Sequence, residues 1–262
     1  MKNIPKLKLA FLAIVFIMVT SASLLSQDRY YYQLKIYSIE NESQEQQMDT
    51  YLKTAYLPAL HRAGIPAVGV FKPKAEESAA GVIIYVFVPF KSLAQFESLP
   101  EILSADNIYQ TDGSKYIDAP YNNPPYMRIE SILLRAFTSM PVPEKPQHKT
   151  FPAERVYELR SYHGATEKIF QNKVEMFNDA GEVELFRKLG FNAVFYGEVI
   201  SGGSMPNLMY MTTFSNEASQ KEHWTAFGSH PDWNSMKSNP KYQNNVSSID
   251  KILLQPTEYS DF

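Results

Sequence analysis

The sequence predicts an α+β fold in which two tandem β-α-β-β-α-β units pair with each other inside one chain. Three observations predict it. The strand-like hexapeptide Tyr32-Gln33-Leu34-Lys35-Ile36-Tyr37 returns 125 positions later as Tyr157-Glu158-Leu159-Arg160-Ser161-Tyr162. At the far end of each copy, Ile132-Leu133-Leu134 returns as Ile252-Leu253-Leu254. Between these marks the same order of strand and helix patterns is written twice. Motifs repeated at both ends of two segments point to an internal duplication, which makes the chain a built-in dimer with any function at or between its units. The plan of each unit is ferredoxin-like, with helices on one face of an antiparallel sheet. Its other face carries aromatics and aliphatics and needs cover, which the second unit supplies. The expected product is a pseudo-symmetric α+β barrel made within one chain.

The first element is a leader. Lys2, Lys6 and Lys8 precede an apolar run from Leu9 to Val19, followed by Thr20, Ser21, Ala22, Ser23 and Ser26. This is the layout of a secretory signal peptide over residues 1–26, and the run is shorter than the roughly 20 residues of a membrane span. An exported protein, periplasmic or secreted, with no stable membrane span after signal removal is therefore expected. A retained N-terminal anchor is the alternative.

Unit 1, residues 27–137, opens on an alternating strand from Arg29 to Ile39. Ser43 with Gln46 reads as a capping box for a helix carrying Met48, Tyr51, Leu52, Ala55, Tyr56 and Leu60, with Gly64 as its stop. Ala67 to Phe71 and Val82 to Val88 read as a strand pair, and Leu93, Phe96 and Leu99 as a short amphipathic helix. Gly113 to Pro125 reads as loop and Ile129 to Phe137 as the last strand. Residues 138–153, with Pro141, Pro143, Pro146 and Pro152, form a stiff linker.

Unit 2, residues 154–262, runs in the same order. Val156 to Tyr162 is a strand, and Ala165 to Leu189 is helical with a break near Asp179-Ala180-Gly181. Asn192 to Ile200 and Leu208 to Phe214 are strands, Glu217 to Phe227 and Asp232 to Ser238 helices, and Ile249 to Leu254 the closing strand.

Composition excludes several function classes. Formal charge is −3, and losing residues 1–26 removes three lysines and no acid, which takes it to −6. Such a chain lacks the basic footprint of a nucleic-acid binder. There is no cysteine, so disulfides, thiolate ligands and a cysteine nucleophile are all excluded. The five histidines show no ligand spacing, so no metal site and no cofactor is expected.

The second copy resembles the NIPSNAP family. Val156-Tyr157-Glu158-Leu159-Arg160-Ser161-Tyr162, Phe195-Tyr196-Gly197-Glu198, Pro206-Asn207-Leu208-Met209-Tyr210-Met211 and Ala226-Phe227-Gly228-Ser229-His230-Pro231-Asp232-Trp233 stand in that family's order. The first copy matches weakly and lacks the Pro-Asp-Trp segment. The resemblance implies a dimeric α/β-barrel fold and little chemistry, since the wider superfamily holds cofactor-free monooxygenases, isomerases and haem-handling enzymes alike.

Candidate site residues follow from strand alternation. Tyr157, Leu159 and Ser161 form the face expected against helices, which turns Glu158, Arg160 and Tyr162 toward the partner unit, with Tyr37 as the counterpart of Tyr162. A carboxylate, a guanidinium and phenols converging there suit an anionic or phenolic small molecule. A charge-paired strand face at the unit interface is the plainer reading. Tyr196, Glu198 and Tyr210 sit on the middle strands. Glu198 is either a buried general base or, more plainly, a solvated carboxylate near the strand end. His163 follows the first strand and could rim a cavity. Trp224, Phe227 and Trp233 have the spacing of helix-to-sheet packing. The catalytic candidates are thus Glu158, Arg160 and His163, and the ligand-binding candidates Tyr37, Glu158, Arg160, Tyr162, Tyr196, Glu198 and Tyr210. Three functions compete: binding of a small organic molecule between the units, cofactor-independent oxygenation or isomerisation, and a structural or assembly role as a homo-oligomer. Nothing in the sequence commits the chain to catalysis.

Overall fold

The computed structural model describes residues 28–262. The expected signal peptide lies outside the described residues. Eight strands are interspersed with helices: β1 (Tyr31–Ser38), β2 (Gly69–Pro73), β3 (Ile83–Phe90), β4 (Arg128–Ala136), β5 (Val156–His163), β6 (Asn192–Ser201), β7 (Asn207–Phe214) and β8 (Ser248–Pro256). They close into one antiparallel barrel in the order β1-β3-β2-β8-β5-β7-β6-β4. Each half supplies four contiguous strands in the ferredoxin-like order, with its last strand beside its first. The seams are β2 with β8 and β4 with β6. Closure leaves no sheet edge free for a further strand.

The alternation of each strand decides what fills the barrel. Tyr32 and Leu34 of β1, Phe71 of β2, Phe87 of β3, Leu134 and Ala136 of β4, Tyr157 and Leu159 of β5, Phe195 and Val199 of β6 and Met211 of β7 meet in the interior, all buried. Rings cross both seams. Phe87 stacks on Phe195 at 4.8 Å, and Phe71 lies 4.9 Å from Tyr157. An eight-strand barrel is just wide enough for its side chains to fill. The C-terminal residues finish the plug: Thr257 and Asp261 donate from their backbone to Val70 and Val68, and Phe262 enters the interior edge-on to Phe87.

The helices cover the outside. In the first half they are α1 (Glu42–Tyr51), which continues through a π-helical turn at Leu52–Tyr56 into α2 (Leu57–Arg62), then α3 (Leu93–Ala105), α4 (Asn107–Asp112) and α5 (Ser114–Ile117). In the second they are α6 (Glu167–Asn178), α7 (Glu182–Lys188), α8 (Glu217–Ser229) and α9 (Pro231–Ser238). The break between α6 and α7 falls at Gly181, whose φ of 93° lies in the left-handed region that glycine adopts without strain. Two expectations are corrected. Asn41, not Ser43, caps α1 by accepting from Gln44 N, because its extended backbone sits one residue ahead of the first turn. The stretch Gly113 to Pro125 is not all loop, since α5 occupies Ser114–Ile117 and packs Tyr116 against Tyr51.

Candidate functional site

The expected orientation of the β5 face is reversed. Tyr157 and Leu159 point into the barrel, while Glu158, Arg160 and Tyr162 point outward against the helices of the second half. The reason is electrostatic. A closed, filled barrel has no water for a carboxylate or guanidinium, whereas polar groups on the helix side find partners. A ligand bound between the units through Glu158, Arg160 and Tyr162 is therefore excluded by the direction of those side chains.

Outside the barrel they form a fully engaged chain. The buried Glu158 carboxylate accepts from Arg160 Nε at 2.7 Å, from Gln220 Nε2 at 2.9 Å and from Trp224 Nε1 at 2.6 Å. The Arg160 guanidinium carbon lies over the Trp224 ring, 3.7 Å from its centroid, and the group donates to the Tyr162 hydroxyl at 3.3 Å. That hydroxyl bonds the Tyr210 hydroxyl at 3.0 Å. Burial opposes the charge on Arg160, but the phenols of Tyr210 and Tyr162 and the Glu158 carboxylate outweigh it and raise its pKa. Burial also raises the Tyr162 and Tyr210 phenols, so both stay protonated. With every oxygen occupied, Glu158 has no lone pair directed at a reactant and serves to fix Arg160.

The other expected residues are dispersed. Tyr196 is buried and stacks on Tyr210 at 5.4 Å. Tyr37 lies in the helix-side core of the first half, edge-on to Tyr126. Glu198 is not solvated. It is 6% exposed and joins Arg29 at 2.9 Å and Arg135 at 2.8 Å across the β4–β6 seam. His163 reaches Asp250 at 3.0 Å and the Ser204 carbonyl at 3.2 Å, away from the Glu158 chain. Trp224 packs as expected of a helix residue, yet its indole N–H is committed to Glu158. Among the described residues, no three His, Cys, Asp or Glu side chains are grouped to hold a metal ion.

Next to Tyr162 a groove of about 390 Å³ opens between α6, α9 and the segment leading into β8. Its floor carries Lys173, an almost fully buried lysine paired with Glu182 at 2.7 Å. The ammonium also faces the rings of Phe177, Tyr162 and Trp233 at 4.7, 5.5 and 5.7 Å. Burial raises the pKa of Glu182, and Lys173 pulls it back. Asn244, in the left-handed region at φ 59°, turns the chain so that Asn245 points inward and donates to Asn172 at 3.0 Å.

The Glu158 chain and the groove beside Tyr162 lie within residues 157–261, the stretch that matches the NIPSNAP family model. The second half is a NIPSNAP domain. No curated protein matches the chain. Solved structures share its whole architecture. A candidate monooxygenase of Lactobacillus acidophilus superposes with a TM-score of 0.55 at 12% identity, over 87% of this chain and 94% of that one. A second, from Fusobacterium nucleatum, reaches 0.56 at 8% identity, over 88% and 93%. An anthrone oxidase-like protein gives 0.51 at 9% identity, over 88% and 92%. At such identities these likenesses show the fold alone.

Sequence reading missed the most distinctive pair in the NIPSNAP domain, Lys173 with Glu182. A signal was there. Lys173 stands between Phe170 and Phe177 at helical spacing, which places a cation on the buried stripe of α6, and a carboxylate follows Gly181 at the next helix start.

Proposed function

We propose that this is an exported protein whose NIPSNAP domain binds a small organic anion in the groove beside Tyr162. The observation that carries the reading is the composition of the groove wall. Lys173 and Lys237 line it together with Gln243, Asn244 and Asn245, and no carboxylate does, in a chain of net charge −3. Met176, Trp233, Val246 and Ile249 give the same wall an apolar side. Few convergent polar groups on an apolar lining is the ordinary makeup of a small-molecule site. The lysine-rich leader and the apolar run behind it support export.

Both tryptophans, Trp224 and Trp233, belong to this half, so intrinsic fluorescence reports on the site directly. Titration of the mature protein with an aromatic carboxylate, 4-hydroxybenzoate, should quench it saturably, and Lys237→Ala should weaken the response severalfold. Native mass spectrometry of the purified protein should show a bound small molecule. Unchanged fluorescence together with an empty protein would sink the proposal.

A second reading, cofactor-independent oxygenation or isomerisation, draws on the Lys173–Glu182 pair. Burial raises the pKa of Glu182, and Lys173 connects it to the groove. In its carboxylate form Glu182 can take a proton from a bound phenol or enol, becoming the neutral acid, while Lys173 steadies the oxyanion. The candidate monooxygenases and the anthrone oxidase-like protein among the structural neighbours support this reading. Its test is oxygen consumption with anthrone as substrate, expected in the native protein and absent in Glu182→Gln. No consumption by the native protein leaves the chain a binder.

A further inference from the structure

The first half presents the same strand face to its own helices with two members changed, the acid and the cation. Gln33 stands where Glu158 stands in the second half, and it donates to Ser131 Oγ at 2.7 Å. The cation survives as Lys35 without its carboxylate. Lys35 is partly buried, and no described acidic residue forms an ion pair with it. Its Nζ lies 4.8 Å from the centroid of Tyr56 and 5.4 Å from that of Tyr37. Tyr56 is delivered by the π-helical turn at Leu52–Tyr56, an irregularity frequent at functional sites. Tyr126, from the segment before β4, completes the set of titratable groups around the amine, and Val86 and Ser131 are its neutral cross-strand neighbours. The Tyr37 hydroxyl is buried with no hydrogen-bond partner. One ring beyond Tyr126, Tyr116 and Tyr51 stand in the wall of a groove of about 200 Å³.

From this arrangement we propose that Lys35 is an amine site for a small aromatic aldehyde, which it captures as a reversible imine among the tyrosine rings. The neutral amine attacks the carbonyl carbon, forming the C–N bond. The carbonyl oxygen then leaves as water, taking the two amine protons, and the C=N double bond remains. The phenols beside Lys35 donate hydrogen bonds and stack on the ring of the aldehyde. Burial works in the same direction, holding Lys35 down to about 8, so the neutral amine is a substantial fraction at pH 8. Arg160 could not do this, since its guanidinium stays charged. The site is independent of the groove beside Tyr162, and neither proposal depends on the other.

Reductive trapping tests it. The mature protein is treated with benzaldehyde and cyanoborohydride at pH 8, and benzylated lysines are mapped and timed by peptide mass spectrometry. Lys35 should react at least roughly tenfold faster than the exposed Lys53 and Lys115, because its neutral fraction at that pH is roughly a hundredfold larger than that of an ordinary lysine. The advantage should shrink as pH rises toward 10. Lys35→Arg, which keeps a cation in place, should abolish the fast phase and leave the slow lysines unchanged. Equal rates at all lysines, or a fast phase that persists in Lys35→Arg, would overturn the proposal.

Discussion

The two halves of the barrel turn the same strand face toward their helices and balance its charge in opposite ways. In the second half Arg160 is held by Glu158, by Trp224 beneath it and by Tyr162 beside it. A second pair, Lys173 with Glu182, is buried nearby. In the first half the position of Glu158 holds Gln33, and Lys35 is left among phenols. Position 48, which corresponds to Lys173, is a fully buried Met. The mouths differ in the same sense. The second half keeps a groove of about 390 Å³, whereas Tyr116 lies flat on Tyr51 at 3.6 Å in the first and leaves about 200 Å³. One half spends its polarity on fixed ion pairs around an open groove. The other is a tyrosine-packed support that leaves one amine without a carboxylate. The difference teaches that a shared scaffold does not imply two equal sites.

The buried pair of the second half should give the largest response when broken. Lys173→Ala leaves Glu182 alone in an apolar core, and urea unfolding should show a loss of about 3–5 kcal/mol. The double change Lys173→Met with Glu182→Leu copies the apolar solution of the first half and should recover most of that loss. If Lys173→Ala costs no more than an ordinary surface change, the pair is not buried as described and the contrast between the halves fails.

Next comes conversion of one strand face into the other. Glu158→Gln gives the second half the Gln-x-basic pattern of the first, removing the charge that holds Arg160 and leaving one acceptor oxygen where Arg160 and the Trp224 indole now use two. A destabilisation of about 2–3 kcal/mol is expected, with a shift in tryptophan emission as Trp224 loses its charged acceptor. An unshifted spectrum would show that Glu158 does not reach Trp224. At the seam, Glu198→Gln should cost only about 1 kcal/mol, because Arg135 and Arg29 both retain access to water.

How much of this was legible depends on what sequence periodicity encodes. The strands and helices were, because alternation and helical spacing are local, and the recurrence of Tyr-x-Leu-basic-x-Tyr at Tyr32 and Tyr157 carried the barrel itself. The inward face of β5 was not. In a barrel wrapped by helices both faces of a strand are buried, so Tyr157 and Leu159 look no more internal than Tyr162 does. The deciding term is the charge on Glu158 and Arg160, which a sealed interior cannot solvate. Glu198 misled for a related reason. Its partners Arg29 and Arg135 come from the other half of the chain, and no local pattern announces contacts made across a seam.

The smallest expected effect is also the one with the most characteristic pH dependence. Replacing Lys35 by Met removes an amine that folding strips of part of its water without supplying a carboxylate. Folding lowers the Lys35 pKa to about 8, below the roughly 10.4 of an unfolded lysine. Between these values the unfolded chain binds more protons, so the stability of the native protein should rise with pH across that window. Below about pH 8 the full penalty is present, and above the unfolded value it is gone. Lys35→Met should therefore be more stable than the native protein at pH 7, by about 0.5–1 kcal/mol once the solvent that reaches the side chain is allowed for. The two proteins should converge as pH approaches 10. The matching change in the second half, Arg160→Met, should destabilise at every pH in the range, because it strands Glu158 instead of relieving an unpaired charge. Opposite signs at Lys35 and Arg160 would establish that the two halves treat their shared cation differently, and equal signs would remove the distinction.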